Sequence, residues 1–482
     1  MEASRATSSQ QDQTLVQIAP STEQLFKPSR FNAFTLESEK GVLLLYNSMT
    51  GHRCGIPTDS ADLAKAYLSQ PVIRGPLDTL GQYMRDKGYI VPNDLPEDAL
   101  WDMKYGHEQY RTDKLELILL ASEDCNFRCI YCSQQFKRGS MLPSVRKGVK
   151  ELVLSRIKKL RIMNISWFGG EPMLGYDAIE ELAPFFQESC REHEVAFSSN
   201  ITTNGYLLTP ERSVKMVGWG ITDYQITVDG AAAEHDSHRP LKEGGATFAT
   251  IFNNIVAMKK IKDDFRVQMR VNFDNTNYPH LEKLFELYAS RVAGDSRFVM
   301  TFYPVGKWGG PNDENLDVCG AKKQAEVATS LREQAARHGL KSDKASRYLE
   351  PEGNVCYAAR PYNYIVGSDG KLMKCTVVLD TLPDNIVGNL REDGTPVLNH
   401  QLLTKWIQPY YKHDAMCSRC FFVPVCQGNS CPLPRITDNQ RPCPPPKLEI
   451  HHTLRMLWAE DSTMARRRQL SVAVPSSGAA PE

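Results

Sequence analysis

The stretch Cys125-Asn-Phe-Arg-Cys129-Ile-Tyr-Cys132 decides the fold that we expect for this chain. Three thiolates in one short segment can hold three irons of a cubane iron–sulfur cluster and leave the fourth iron without a protein ligand. A structural zinc site closes with four protein ligands, so a set of three implies that another molecule supplies the last ligand. The alternative is a zinc or ferredoxin-like site with a distant fourth ligand.

The sequence around these cysteines alternates between strand and helix patterns. The apolar run 115–120 predicts a buried strand before the cysteines, and Val149, Val153, Ile157 and Leu160 recur at helical spacing after them. Further strands are predicted at 162–168, 196–202, 224–228, 266–273 and 298–305. The sequence therefore predicts an α/β fold in which residues 111–318 form a partial (β/α)6 TIM-like barrel, open on one side.

Composition excludes several classes of protein. The 482 residues are 41% hydrophobic and 24% charged, as in ordinary globular proteins, and 57 basic residues balance 57 acidic ones. No overall charge favours nucleic acid or a membrane surface as a partner, and no run of about 18 apolar residues predicts a spanning helix. Thirteen cysteines without a signal peptide favour metal thiolates in a cytoplasmic protein.

Two motifs together resemble the radical S-adenosylmethionine (SAM) enzymes. The spacing of Cys125, Cys129 and Cys132, with an aromatic residue before the last, is similar to the signature of that family, and Gly169-Gly-Glu-Pro172 is similar to its motif for the SAM amino group. The resemblance implies that SAM chelates the open iron and that the reduced cluster cleaves SAM to a hydrogen-abstracting 5'-deoxyadenosyl radical. The SAM-binding residues that the resemblance implies are Gly169, Gly170, Glu171, Pro172, Thr203, Asn204 and Asp229. Arg270 is predicted as a further SAM-binding residue from its place on the strand at 266–273.

Physical chemistry gives these residues plausible roles and plain alternatives. Glycines let a ligand approach the backbone, and a strand-end carboxylate can accept bonds from an ammonium group. Asn and Asp at strand ends also cap turns, and Arg270 and Asn272 share one side of their strand, facing either the ligand or solvent. The run from His235 to Arg239 is expected to be a hydrogen-bonded loop, not a metal site.

Residues 31–110 read as a small α+β domain with a strand at 42–46 and helices near 61–68 and 77–87. One interpretation is a packing appendage. The other is a winged-helix-like module that binds peptides by strand addition, similar to modules preceding the barrel in maturases of ribosomally synthesised peptides (RiPPs). Residues 1–30 and 461–482 are expected to be disordered.

A second cysteine array follows a predicted bridging helix at 319–345. A predicted hairpin around 366–370 would bring Cys356 and Cys375 together. The array in 346–460 resembles the SPASM domain, which carries two auxiliary 4Fe–4S clusters, although four residues rather than three separate Cys426 from Cys431. The resemblance assigns Cys356, Cys375 and Cys431 to the first cluster, and Cys417, Cys420, Cys426 and Cys443 to the second. Cys319 completes the first cluster, or one iron stays open; two zinc sites are the alternative.

These features predict a radical SAM/SPASM oxidoreductase with SAM and three 4Fe–4S clusters. The expected substrate is a ribosomal precursor peptide with a leader segment, which would receive a thioether or carbon–carbon crosslink, and flavodoxin or ferredoxin would be the reductant. No catalytic acid or base stands out. One alternative is an anaerobic sulfatase maturase, although Thr376 occupies the position of that group's Asp base. Another is a non-catalytic iron–sulfur or zinc protein.

Overall fold

The computed structural model describes residues 24–37, 41–106, 108–343 and 345–459. These residues form two compact units, one comprising residues up to 100 together with those from 450, and the other comprising 101–449. The predicted disordered segments 1–30 and 461–482 lie outside the described residues, except for 24–30. None of the described helices is long and apolar enough to cross a lipid bilayer.

The first unit contains two small antiparallel sheets, with strand orders β5-β1-β6 and β2-β3-β4. The strands are β1 (Leu25–Pro28), β2 (Asn32–Glu37), β3 (Val42–Asn47), β4 (Arg53–Ile56), β5 (Ile73–Arg74) and β6 (Ile90–Pro92). The helices are α1 (Thr58–Ser69), α2 (Thr79–Asp86) and α3 (Glu97–Trp101), and residues 450–459 are also helical. Helix α2 begins two residues later than predicted, because the Asp78 carboxylate caps it by accepting a bond from Gly81 N at 2.7 Å.

The second unit is built on one large sheet, in the order β13-β12-β11-β10-β9-β8-β7-β14-β15-β16-β17. Its strands are β7 (Lys114–Ser122), β8 (Ile162–Gly169), β9 (Ala196–Thr203), β10 (Ile221–Thr227), β11 (Arg266–Phe273), β12 (Phe298–Pro304), β13 (Lys341–Ser342), β14 (Asn363–Val366), β15 (Lys371–Met373), β16 (Ile386–Leu390) and β17 (Pro396–Leu398). Its helices are α4 (Pro143–Arg156), α5 (Tyr176–Glu192), α6 (Pro210–Gly218), α7 (Ala232–His238), α8 (Phe248–Met258), α9 (Glu282–Val292), α10 (Ala321–Arg337), α11 (His400–Ile407), α12 (Tyr410–His413), α13 (Ala415–Ser418), α14 (Val423–Cys426), α15 (Leu433–Thr437) and α16 (Pro445–Leu448).

Strands β7 to β13 are parallel, as expected for strands joined by helices. Alternate side chains explain how the sheet packs: Leu115 and Leu117 of β7 are buried in one core with Val149 of α4, whereas Glu116 faces the other side of the sheet. The α/β class with a large central sheet is therefore confirmed, and each predicted barrel strand is present.

Two features differ from the expectations or go beyond them. Residues 232–238 form helix α7, so the predicted loop at His235–Arg239 is wrong over most of its length; Ala232 and Ala233 favour a helix there. The hairpin of β14 and β15 turns at Gly370 (φ +88°), as expected. In addition, β14 pairs in parallel with β7, with Ile365 opposite Ile118. The segment between Cys356 and Cys375 thus adds β14 and β15 to the sheet whose strand β7 leads into the first cysteine loop.

Candidate functional site

The first three cysteines lie in the loop that leaves β7. Cys132 N donates to Cys129 O at 3.1 Å, and this turn brings Cys129 and Cys132 close together. Phe127 N donates to Cys125 Sγ at 3.3 Å. Burial raises the pKa of the Cys125 thiol to about 12 and that of Cys129 to about 11, and each thiolate repels the other and Cys132. These three groups are therefore close neighbours that would ionise readily only against a cation, which is the behaviour of cluster ligands.

A buried arginine lies beside this loop. Arg239 is 7% exposed, its charge favours the thiolate of Cys129, and its Nη1 donates to the Tyr131 hydroxyl at 2.6 Å. Tyr131 in turn donates to the buried Asp229 carboxylate and accepts from Asn272 Nδ2 at 2.9 Å. The arrangement puts a fixed positive charge next to the anionic loop. Sequence reasoning gave no role to Tyr131 or Arg239, although both lie in segments it singled out.

The glycine pair at the end of β8 lies against the chain's own backbone. A Cβ on Gly169 would lie 2.0 Å from the Ser122 carbonyl oxygen, and a Cβ on Gly170 would lie 2.4 Å from the Asp124 carbonyl oxygen. Gly170 N also donates to Ser122 O at 3.1 Å, and Glu171 N donates to Asp124 O at 2.8 Å. The backbone that approaches these glycines is therefore the chain's own cysteine loop, which they allow to dock on the strand end.

Glu171 is completely buried and its carboxylate is used by the chain itself. Oε1 accepts from the Thr203 hydroxyl at 2.7 Å and from Met173 N at 3.0 Å, and Oε2 accepts from Asn204 N at 2.7 Å. Burial raises the pKa of Glu171, while these donors oppose that rise. Glu171 thus ties the end of β8 to the end of β9, and one Oε2 lone pair is left for a further donor. Pro172 is buried at the start of the next helical turn.

The remaining predicted SAM-binding residues converge on the same strand ends. Asn204 Nδ2 donates to Asn126 Oδ1 at 2.8 Å, within the cysteine loop, and lies 4.0 Å from Cys125 Sγ. Asp229 Oδ1 accepts from Asn272 N at 2.8 Å. Arg270 faces the same way as Asn272, because its Nε donates to Asn272 Oδ1 at 2.7 Å. Asn272 donates to the Tyr131 hydroxyl, so Arg270 and Asn272 of β11 are both connected to the cysteine loop.

The C-terminal cysteines fall into two groups in space. The Cys356 thiolate interacts electrostatically with Cys375 and Cys431, and the Cys426 thiolate with Cys420, Cys417 and Cys443. The second group lines a cavity of ≈ 70 Å³. Among the described residues, no three His, Cys, Asp or Glu side chains converge tightly enough to hold one metal ion. A cubane has a looser requirement, because each thiolate binds a different iron.

Lys374, which precedes Cys375 in the sequence, and Cys319, a predicted candidate for the first cluster, differ in their surroundings. Lys374 is fully buried, burial lowers its pKa to about 7, and its Nζ donates to Arg360 O at 2.6 Å. Cys319 is also buried, but its Sγ lies 3.4 Å from Asn275 Oδ1 and its charge interacts with Lys323. The contacts described for Cys319 are thus with residues near β11 and α10, whereas those of Cys356 are with the other array cysteines.

The family model described as the Radical SAM superfamily matches residues 119–288, which include the first cysteine loop and the ends of β8, β9 and β10. The chain contains a radical SAM domain. An AdoMet-dependent heme synthase of Methanosarcina barkeri is 24% identical over 333 residues, which cover 63% of this chain and 87% of that relative. A cysteine-type anaerobic sulfatase-maturating enzyme of Clostridium novyi is 23% identical over 335 residues, covering 65% and 86%.

A solved structure of native anSMEcpe with bound AdoMet and Cp18Cys peptide superposes with a TM-score of 0.51 at 19% identity, covering 68% of this chain and 92% of that one. The likeness at this identity concerns the fold. A radical SAM domain implies a SAM-binding 4Fe–4S cluster, and the residues present fit one. The buried thiol of Cys125 and the half-buried thiols of Cys129 and Cys132 are soft ligands, and Arg239 offsets their charge. Arg239 Nε and His235 Nε2 are buried without a hydrogen-bond partner among the described residues, so polar atoms remain there for a ligand.

Proposed function

We propose that this radical SAM enzyme modifies a ribosomally made precursor peptide and installs a thioether or carbon–carbon crosslink. The observation that carries the proposal is the pairing of β14 with β7, because it joins the segment bearing Cys356 and Cys375 to the sheet that bears the first cysteine loop. One rigid sheet would then hold the site of hydrogen removal and a site of electron uptake at a fixed separation.

Each cysteine group has a role in this proposal. Cys125, Cys129 and Cys132 hold the SAM-binding cluster, and the two C-terminal groups hold auxiliary 4Fe–4S clusters. When bound, SAM and its cluster supply the power to abstract hydrogen. Crosslinking removes two hydrogens from the peptide: one is transferred as an atom to give 5'-deoxyadenosine, and the other leaves as a proton plus an electron. The two C-terminal cysteine groups would hold the clusters that accept that electron, and flavodoxin or ferredoxin would supply the electron that starts each turnover.

A small cavity lies between the two cysteine segments. It has a volume of ≈ 30 Å³ and is lined by residues 133–137 of the cysteine loop and by Val377, Leu379, Asp380 and Thr381, which follow Cys375. Arg138 fastens both walls, since it pairs with Glu123 on the loop and with Asp380 on the opposite wall. The cavity itself holds only a water-sized group. A peptide lying across its mouth would be next to both cysteine segments, so orientation rather than acid–base chemistry would select the hydrogen removed.

The first unit supplies a surface suited to the leader segment. Strand β2 is an edge strand of its sheet, and it exposes Phe34 (43%) and Leu36 (42%). An extended peptide adds to such an edge through main-chain hydrogen bonds, with apolar contacts for selectivity. The helical residues 450–459 contact part of this strand, since Arg455 bonds the Thr35 hydroxyl and Leu36 O.

The sulfatase-maturase alternative is less well supported by the chain's own residues. That group's base is a carboxylate, but Thr376 stands at the position, and its hydroxyl lies 2.8 Å from the Tyr357 hydroxyl. A hydroxyl in that bond has a pKa far too high to act as the base near neutral pH. The alternative predicts oxidation of one Cys or Ser without a new bond between residues.

Co-expression with peptides from neighbouring short reading frames, followed by mass spectrometry, tests the proposal. Loss of two hydrogens with a new inter-residue bond in fragmentation spectra supports crosslinking, and aldehyde formation would favour the alternative. A variant with Cys125, Cys129 and Cys132 changed to Ala should form no 5'-deoxyadenosine with dithionite. Iron and sulfide for fewer than three clusters in the parent protein would contradict the cofactor assignment.

Leader recognition is tested separately by Phe34→Asp in β2. We expect modification of the full precursor to fall at least tenfold, while formation of 5'-deoxyadenosine without peptide stays at the parent rate. Leu154→Asp, at another exposed leucine (47%) on α4, is the matched control. Equal modification by the Phe34 variant and the control would rule out this surface.

A further inference from the structure

The second auxiliary group contains a hydrogen bond from a guanidinium to a cysteine sulfur. Arg435 Nη2 donates to Cys417 Sγ at 3.2 Å, and Arg435 lines the cavity that Cys417, Cys420, Cys426 and Cys443 surround. Such a bond is charge-assisted, and it strengthens as the sulfur becomes more negative.

Three contacts fix the position of Arg435. Nη1 donates to Asp414 Oδ2 at 3.1 Å, Nη2 points at Cys417, and the guanidinium lies 4.4 Å from the Tyr410 ring centre. The Arg435 side chain is 10% exposed and that of Asp414 is 13% exposed. Asp414 also accepts from Met416 N at 2.9 Å and from Cys417 N at 3.3 Å, so one carboxylate positions both the donor and the cysteine.

A second arginine shares the carboxylate but has a different environment. Arg441 Nε donates to Asp414 Oδ2 at 2.7 Å, and its side chain is 42% exposed. The hydrogen bond to the Cys417 sulfur comes from Arg435. Solvent also screens the half-exposed charge of Arg441 far more than the buried charge of Arg435. Two arginines paired with one carboxylate leave a net positive charge at the cavity wall. The buried Arg435 contributes most of the electrostatic effect of this charge on the cysteine sulfurs.

We infer that Arg435 is a positioning residue that raises the reduction potential of the cluster held by Cys417, Cys420, Cys426 and Cys443. This inference rests on the proposed function, which places a 4Fe–4S cluster there. A reduced cluster carries one more negative charge than an oxidised one, so a buried donor to its thiolate stabilises the reduced form more. The second auxiliary cluster thereby becomes an energetically favourable destination for the electron that crosslinking releases.

Redox titration followed by electron paramagnetic resonance tests this in the full-length, anaerobically reconstituted protein. The background carries Cys125, Cys129 and Cys132 changed to Ala, which removes the first cluster, and the signal lost in Cys420→Ala identifies the second auxiliary cluster. In Arg435→Met we expect the reduction equilibrium constant to fall about tenfold, a shift of about 59 mV to lower potential for one electron. Arg435→Lys keeps a positive charge, so its reduction equilibrium constant should fall less than threefold. We expect a similarly small decrease for Arg441→Gln.

The possible outcomes distinguish a failure of the role of Arg435 from a failure of the proposed function. An Arg435→Met protein with full iron and sulfide but an unchanged midpoint potential overturns the role of Arg435. If that variant fails to hold its cluster, Arg435→Gln and Arg435→Lys decide, because only the lysine is charged, and equal midpoints for them overturn it as well. Absence of iron and sulfide from this site in the parent protein overturns the proposed function instead.

Discussion

The substitution Gly170→Ala tests how closely the cysteine loop must pack against the end of β8. The new Cβ would lie 2.4 Å from the Asp124 carbonyl oxygen, 2.7 Å from the Asp124 carbonyl carbon and 2.8 Å from the Glu123 carbonyl oxygen. All three atoms are backbone, which cannot rotate aside as a side chain can. The loop and the strand end must therefore separate by about 1 Å to reach ordinary contact distances.

The expected cost follows from that separation. Overpacking of this kind costs about 1–3 kcal/mol. The movement also stretches the bonds from Gly170 N to Ser122 O (3.1 Å) and from Glu171 N to Asp124 O (2.8 Å), each worth about 1 kcal/mol. We expect the free energy of unfolding to fall by about 3 kcal/mol. A 1 Å displacement of the cysteine loop should also slow SAM cleavage about 100-fold.

Urea unfolding followed by tryptophan fluorescence measures the stability change, and chromatography of 5'-deoxyadenosine measures cleavage. Gly218→Ala is the matched control, because a Cβ at this helix-end glycine meets nothing within 4 Å. We expect the control to be neutral or more stable by about 0.5 kcal/mol. A Gly170→Ala protein that unfolds within about 0.5 kcal/mol of the parent and cleaves SAM normally would refute this account of the glycine pair.

Three further substitutions test the network around the site. Tyr131→Phe removes the hydroxyl that donates to the buried Asp229, so we expect a loss of about 1–3 kcal/mol in urea unfolding; a loss below 0.5 kcal/mol would contradict the network. Arg138→Ala leaves Glu123 with Ser368 as its remaining donor, and should cost about 2 kcal/mol and raise proteolysis of the loop at 133–137; an unchanged cleavage pattern would count against its fastening role. Burial lowers the pKa of His235 well below 6.5, so the unfolded chain takes up a proton first and stability falls as pH drops below 6.5. His235→Asn, which keeps an acceptor for Asp229 N, should flatten that part of the stability–pH profile, and an unaltered slope would assign the effect to another group.

Much of the fold was readable from local pattern. The predicted strand at 266–273 matches β11, and the helical spacing of Val149 and Val153 identifies the buried face of α4. These predictions succeed because the repeat of buried side chains is set within a single element. In a strand every second side chain faces the core, and in a helix every third or fourth does. The prediction failed at His235–Arg239, where short polar segments carry no periodicity to separate helix from loop.

The roles of the site residues were harder to foresee than their positions. The sequence placed Gly169, Gly170 and Glu171 at the end of a strand, and the structure does the same. What it could not show is that the glycines receive the chain's own backbone and that Glu171 is largely occupied by Thr203 and Asn204. A motif records which residues meet, whereas the partner of each polar atom depends on the surrounding packing.

The sequence by itself determined the α/β alternation, the cysteine loop at the end of β7, and the resemblance to radical SAM enzymes, because each is written within a few consecutive residues. The tertiary structure decided which distant segments meet: β14 lies beside β7, and Arg239 lies beside Tyr131. Such neighbours are chosen by the closing of the whole sheet and by the need to pair buried charge, and neither condition leaves a pattern at any single place in the chain.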